Sequence, residues 1–168
     1  VLNTSHEGAY MNLRTEMRRS DKAILDLEHI DSILKSASVG VLTMCKDNTP
    51  YSIPVNFYYE DDRIYIHCAK EGQKITYVKA NPHVCFLVVH PVAVEGTDCH
   101  GAMDYESVLC FGKAVFSETS EYEILSKLGK KYGTCSEITE EDVKKTAVIQ
   151  IDIDEVSAKR GYPLEGNG

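Results

Sequence analysis

The sequence predicts a mainly β chain: a small antiparallel barrel of about six strands with peripheral helices. Three observations predict it. Apolar and polar residues alternate along 51–59, which is the two-residue period of a strand. Short turn-forming clusters join neighbouring strand-like runs, which favours antiparallel pairing. The chain has 168 residues, 43% hydrophobic and 26% charged, enough for one domain that buries a core without disulfides or a structural metal.

The elements follow in order. Residues 1–16 are polar and read as a flexible leader. Ser20 is a candidate N-cap, and Ala23, Ile24, Leu27, Ile30, Ile33, Leu34 and Ala37 recur at helical spacing, so an amphipathic helix is expected over 21–36. Residues 39–45 read as a strand and 46–50 as a turn. In 51–59, Tyr51, Ile53, Val55, Phe57 and Tyr59 share one face; Pro54 cannot donate to a ladder, so this strand is expected at an edge or locally irregular. A turn at 60–62 returns the chain as a third strand, 63–68. After a break at 69–72, a short helix is expected from Gln73 to about Lys79, ended by Asn81-Pro82. The apolar run 84–89 reads as a central strand, 91–104 as a long loop, and 105–116 as a strand with Gly112 marking a bulge or close approach. Ser120 with Glu123, and Thr139 with Asp142, resemble capping boxes for two helices, ending near Lys131 and Lys145. The last strand is 148–153, and the C-terminal residues, 161–168, read as a frayed tail.

Charge and cysteine usage remove several classes. Lys and Arg number 18 against 26 Asp and Glu, a net charge of −8. Neither a phosphate backbone nor an anionic membrane surface suits such a chain, so no nucleic-acid or membrane partner is expected. No apolar window approaches a transmembrane span, and the first ten residues lack a signal-peptide pattern. The six cysteines are spaced by 23, 17, 14, 11 and 25 residues, with no CxxC pair. Reduced cytoplasmic thiols are expected, and no metal site.

The densest polar cluster is Ile66-His67-Cys68-Ala69-Lys70-Glu71-Gly72-Gln73-Lys74. A strand end, a Gly-containing loop and a helix start present free N–H groups and the positive end of a helix dipole, which suits an anion such as phosphate. An ordinary surface junction would look the same from spacing alone.

Five stretches, in order, carry a resemblance. They are 17–22 (Met17-Arg18-Arg19-Ser20-Asp21-Lys22), 51–57, 66–74, 81–86, and Tyr105-Glu106-Ser107-Val108 with Gly112. Over about 17–160 the chain resembles the pyridoxamine 5′-phosphate oxidase-related flavin-binding split-barrel proteins, and most of all their nitroimidazole-resistance branch. The resemblance implies a six-stranded antiparallel split β-barrel of the FMN-binding type over 17–160, and a homodimer with flavin at its interface. FMN is the implied cofactor, with FAD possible. Lys74, Gln73 and the backbone of Cys68 and Ala69 match the phosphate cradle. Pro54, Val55, Asn56 and Phe57 match the strand along the flavin ring. Ser107 matches a position near the cofactor, and His67 a catalytic or substrate-side histidine. The stretch 158–163 lacks the Arg and His pair with which pyridoxamine phosphate oxidases hold their substrate, so vitamin B6 oxidation is not implied.

Two functions follow as expectations. One is a flavin-dependent oxidoreductase reducing a small acceptor such as a nitroaromatic, with a reduced nicotinamide as visiting donor, because no GxGxxG loop is present. The other is a non-catalytic module that stores or senses flavin, or binds haem.

Overall fold

The computed structural model describes residues 11–91, 105–134 and 137–161. One sheet runs in the order β3-β2-β6-β7-β8-β5-β4, with β1 added beside β8. Its strands are β1 (Asn12–Leu13), β2 (Gly40–Lys46), β3 (Thr49–Val55), β4 (Tyr58–Glu60), β5 (Arg63–Ala69), β6 (His83–Pro91), β7 (Tyr105–Phe116) and β8 (Thr146–Arg160). All pairs are antiparallel except β1 with β8.

The strand expected over 51–59 divides in two. Its period-two burial holds throughout, with Phe57 and Tyr59 buried on the expected face. Yet β3 and β4 lie at opposite ends of the strand order, joined only by Asn56 and Phe57. Two residues span roughly 10 Å at most. The sheet must therefore roll until its two edges nearly meet, which is a split barrel. With β1, this division gives eight strands among the described residues instead of six. Pro54 sits on edge strand β3, where its missing N–H costs no ladder bond. The tight turns beside β3 and β4 place Asp47, Asn48, Asp61 and Asp62 at positive φ, the geometry of two-residue hairpins.

Among the described residues four α-helices accompany the sheet: α1 (Leu27–Ser36), α2 (Gln73–Ala80), α3 (Glu121–Tyr132) and α4 (Glu140–Lys145). Helix α1 starts later than the expected 21–36. Asp26, not Ser20, is its cap, accepting from the amides of Glu28 and His29. Ala23 and Ile24 instead spend their backbone on β8, where the Ile24 amide donates to Ala158 O at 2.9 Å. Within the expected leader, Asn12–Leu13 pairs with Glu155 and Val156 and Met11 is buried. Strand β8 is far longer than 148–153, because it is flanked by β7 on one side and by β5, then β1, on the other. The long loop expected over 91–104 lies, beyond Pro91, outside the described residues, as do Cys99 and Cys135.

Two cores result. The main one fills the inside of the rolled sheet around Leu42, Phe57, Ile66, Phe86 and Ile151, closed by Ile30, Ile33 and Leu34 of α1 and Ile75 and Val78 of α2. A smaller one joins Ile124 and Leu128 of α3 to Tyr65 and Val148 on the outer face of β5 and β8. Gly112 lies at a register shift between β7 and β8, where a Cβ would stand 2.1 Å from Asp152 O. Thr139 and Asp142 form their capping box; Ser120 makes no side-chain cap bond, and Glu123 pairs with Lys127 instead. No described helix is long and apolar enough to cross a membrane.

Candidate functional site

The site is built around the end of β5. Side chains on β5 alternate, so Tyr65 and His67 face outward toward α3 while Ile66 and Cys68 face the main core. Beyond Ala69 the chain turns into α2, whose N-cap is Gly72 at φ 119°, with no side-chain cap bond. The amides of Gln73, Lys74 and Ile75 therefore lack intrahelical acceptors. A Cβ on Gly72 would meet nothing within 4 Å, so the approach to these amides is open. Ile75 and Val78 anchor α2 in the core, and Tyr77 packs against Tyr51 at 5.1 Å between ring centroids.

Lys74 supplies positive charge here. His67 is held below its ordinary pKa, first by desolvation and second by the Lys74 charge. Its edge is exposed to solvent, yet enough protein surrounds the ring to disfavour the imidazolium. Desolvation raises the Cys68 thiol, with Lys74 opposing. Cys68 is therefore a protonated, inward-facing thiol at neutral pH and no nucleophile.

His67 and Asn56 open on one cleft of about 810 Å³. Its opposite wall is Leu125, Gly129 and Tyr132 of α3, followed by Ile138 and Asp142. Tyr132 reaches across to the joint between β3 and β4. Its hydroxyl lies 2.8 Å from Ser38 O and 2.9 Å from Phe57 O, and it accepts from the Phe57 amide at 3.0 Å. The Asn56 amide also donates to Ser38 O, at 3.3 Å. Next to Tyr132, the Lys131 Nζ lies 3.9 Å from the Phe57 ring centroid. That nitrogen is out of solvent with no hydrogen-bond partner, and desolvation lowers its pKa to about 8.

The structure thus brings Asn56 and His67 together and sets Lys74 beside His67. Ala69 and Gln73 are exposed at the junction. Pro54 points outward from the edge strand, Val55 inward, and Phe57 is fully buried. Ser107 stands apart. It pairs with Lys159 of β8, whereas His67 pairs with Val148, 11 residues away and roughly 35 Å along the strand. Sequence reasoning missed the wall from α3 and α4. Tyr132 does lie one helical turn after Leu128, which marks it as facing the sheet. Nothing in that spacing says that its hydroxyl reaches residue 57.

Comparison with known proteins fits this architecture. The model of the family described as pyridoxamine 5′-phosphate oxidase matches residues 26–160. A solved Bacteroides thetaiotaomicron structure, provisionally described as a 5-nitroimidazole antibiotic resistance protein, is 28% identical, covers 82% of this chain and 86% of its own, and has a TM-score of 0.70. A FAD-binding protein from Mesorhizobium loti shares the fold at 22% identity, covering 84% of this chain and 98% of its own, with a TM-score of 0.65. An uncharacterized Rhizobium meliloti protein, RA0666, is 26% identical over 65 residues, which is 39% of this chain and 42% of that protein. A rolled antiparallel sheet, an open strand–loop–helix junction and a family match across most of the chain agree: the chain belongs to the pyridoxamine 5′-phosphate oxidase family.

Proposed function

We propose that this chain binds a flavin, FMN or FAD, and uses it to reduce a small acceptor such as a nitroaromatic. The observation that carries this reading is the opening of Asn56 and His67 on one cleft, with Lys74 and the uncapped start of α2 beside them. The junction fits a phosphate: Gly72 leaves it unobstructed, three amides are free to donate, and Lys74 adds charge. A bound flavin would supply two-electron transfer, from a reduced nicotinamide to the acceptor.

The chain's own residues do the rest. Lys74 and the α2 amides hold the phosphate, flanked by Gln73 and the backbone of Cys68 and Ala69. The backbone of Pro54, Val55, Asn56 and Phe57 would border the ring of a bound flavin. His67 is neutral at pH 7 because its pKa is lowered, so it donates a hydrogen bond to the acceptor rather than acting as a fixed cation. Similarity to the Bacteroides protein supports the choice of acceptor, and the Mesorhizobium fold relative supports FAD as an alternative to FMN.

The same reading includes a homodimer. The outer face of β3, β2, β6 and β7 carries Pro54, Val41, Leu87 and Leu109 in one register row and Cys85 and Phe111 in the next. Val89 beside them is 49% exposed. Helices α1, α2 and α3 put their buried apolar residues into the two cores rather than here. A second copy would cover this face and could bring its own Ser107 to the cleft, which Ser107 of the same chain does not line.

The test is reconstitution. The purified chain is titrated with FMN and with FAD, then assayed for NADH or NADPH oxidation with a nitroimidazole acceptor. Tight binding with turnover supports the enzyme, and binding without turnover leaves a flavin carrier. A chain that takes up neither flavin removes the proposal.

A further inference from the structure

The Tyr132 hydroxyl has one proton and three backbone neighbours. It accepts from the Phe57 amide, and its one proton has two carbonyl oxygens within reach, Ser38 O at 2.8 Å and Phe57 O at 2.9 Å. Such a proton can be shared by two carbonyls as a three-centre bond. The Asn56 amide donates to the same Ser38 O, but at 3.3 Å, the long end of the N–H···O range. Ser38 O thus has a close donor and a distant one. The distant one belongs to an exposed side chain that lines the cleft.

We propose that Tyr132 is a positioning residue: it rivets the joint between β3 and β4 to the end of α1, and it satisfies Ser38 O so that the Asn56 carboxamide can leave that oxygen for a ligand in the cleft. A carboxamide offers a donor and an acceptor in one plane. It therefore suits an N–H beside a C=O, which the imide edge of a flavin ring presents. This ligand assignment rests on the flavin reading above; the hydrogen-bond hand-over does not. Lys131 touches the same joint through the Phe57 ring, 3.9 Å from its centroid. The anchoring comes from the last turn of α3, so it ties the cleft wall to the joint between β3 and β4.

The experiment compares wild type, Tyr132→Phe, Asn56→Ala and the double variant. In ligand-free protein, NMR should show the Asn56 side-chain amide protons exchanging with solvent several-fold more slowly in Tyr132→Phe, because Asn56 is then the remaining side-chain donor to Ser38 O. Unchanged exchange, in a variant whose other amide resonances stay in place, overturns the hand-over. Tyr132→Phe should also weaken FMN or FAD binding by about three- to tenfold, the worth of one hydrogen bond. It should add almost nothing in the Asn56→Ala background. An equal loss in both backgrounds makes Tyr132 a purely structural residue and overturns the proposal. If slowed exchange is seen in a chain that binds neither flavin, the hand-over stands and the flavin reading falls.

Discussion

At Phe57 three constraints meet. Its ring packs edge-on against Phe86 at 5.0 Å, Lys131 caps the ring, and Tyr132 holds its backbone. The Lys131 amine is the costly member. An unpartnered polar group out of solvent costs about 1–3 kcal/mol, and the ring contact returns about 0.5–2 kcal/mol. Lys131→Met should therefore stabilise the protein by roughly 1 kcal/mol at pH 7 in urea unfolding. The folded pKa is lowered to about 8, and the unfolded chain keeps its proton up to the ordinary 10.5. Between those values the unfolded state binds more protons, so wild-type stability rises with pH. The advantage of Lys131→Met should shrink across that window; an advantage independent of pH would mean that the amine is not buried as a cation. His67 obeys the same sign. Its folded pKa lies below 6.5, so its contribution is complete above 6.5 and is lost as pH falls toward the folded value. If its neutral form serves the acceptor, kcat/KM should hold down to pH 6.5 and fall only as pH drops through the lowered folded pKa. His67→Gln should cost about tenfold or more in turnover and flatten the profile.

At the scale of elements, the β5–α2 junction depends on one glycine. Gly72 adopts φ 119° and ψ −178°, a region costly for any side chain, while the space around it is open. Gly72→Ala should cost about 1–3 kcal/mol through backbone strain alone. It should also weaken flavin affinity if the α2 amides bind phosphate. Thermal unfolding and a flavin titration separate the two effects. Lys74→Ala should leave the melting temperature nearly unchanged and weaken flavin binding by about tenfold; unchanged affinity would remove Lys74 from the phosphate site. The division of 51–59 into β3 and β4 belongs to this scale as well. Its alternation was legible as strand, but both edges of a rolled sheet carry the same period. Only the pairing partners, β2 for one half and β5 for the other, reveal the break at Asn56 and Phe57.

For the whole molecule, the apolar outer face is the consequential feature. A strand such as β6, apolar over 84–89, has something to bury on both sides: Val84, Phe86 and Val88 inside the barrel, Cys85, Leu87 and Val89 outside. Leu109→Lys would place a charge at the β7 end of the outer row. If a second copy covers that row, the variant should be monomeric by sedimentation and should weaken both dimerisation and flavin binding by at least about 100-fold, the cost of burying an unpaired charge. A wild-type protein that sediments as a monomer at micromolar concentration would remove the dimer.

Legible in the sequence were the β-rich class, the restriction of Pro54 to an edge or an irregular strand, the central place of β6 and the strand–loop–helix junction with Lys74. Each follows from local chemistry: a two-residue period, a missing N–H, an unbroken apolar run, a glycine before a helix. It also placed Asn56 and His67 among the candidate residues, through a resemblance carried by motifs in order. Tertiary structure alone decided that these two share a cleft, that α3 and α4 build its far wall, and that Tyr132 and Lys131 converge on Phe57. It also gave Ile24 to β8 rather than to the first helix. The reason is physical: such contacts join segments far apart in the chain, 94 residues for Tyr132 and Ser38 and more for Ile24 and Ala158, and they exist only once the sheet has rolled and its elements have docked.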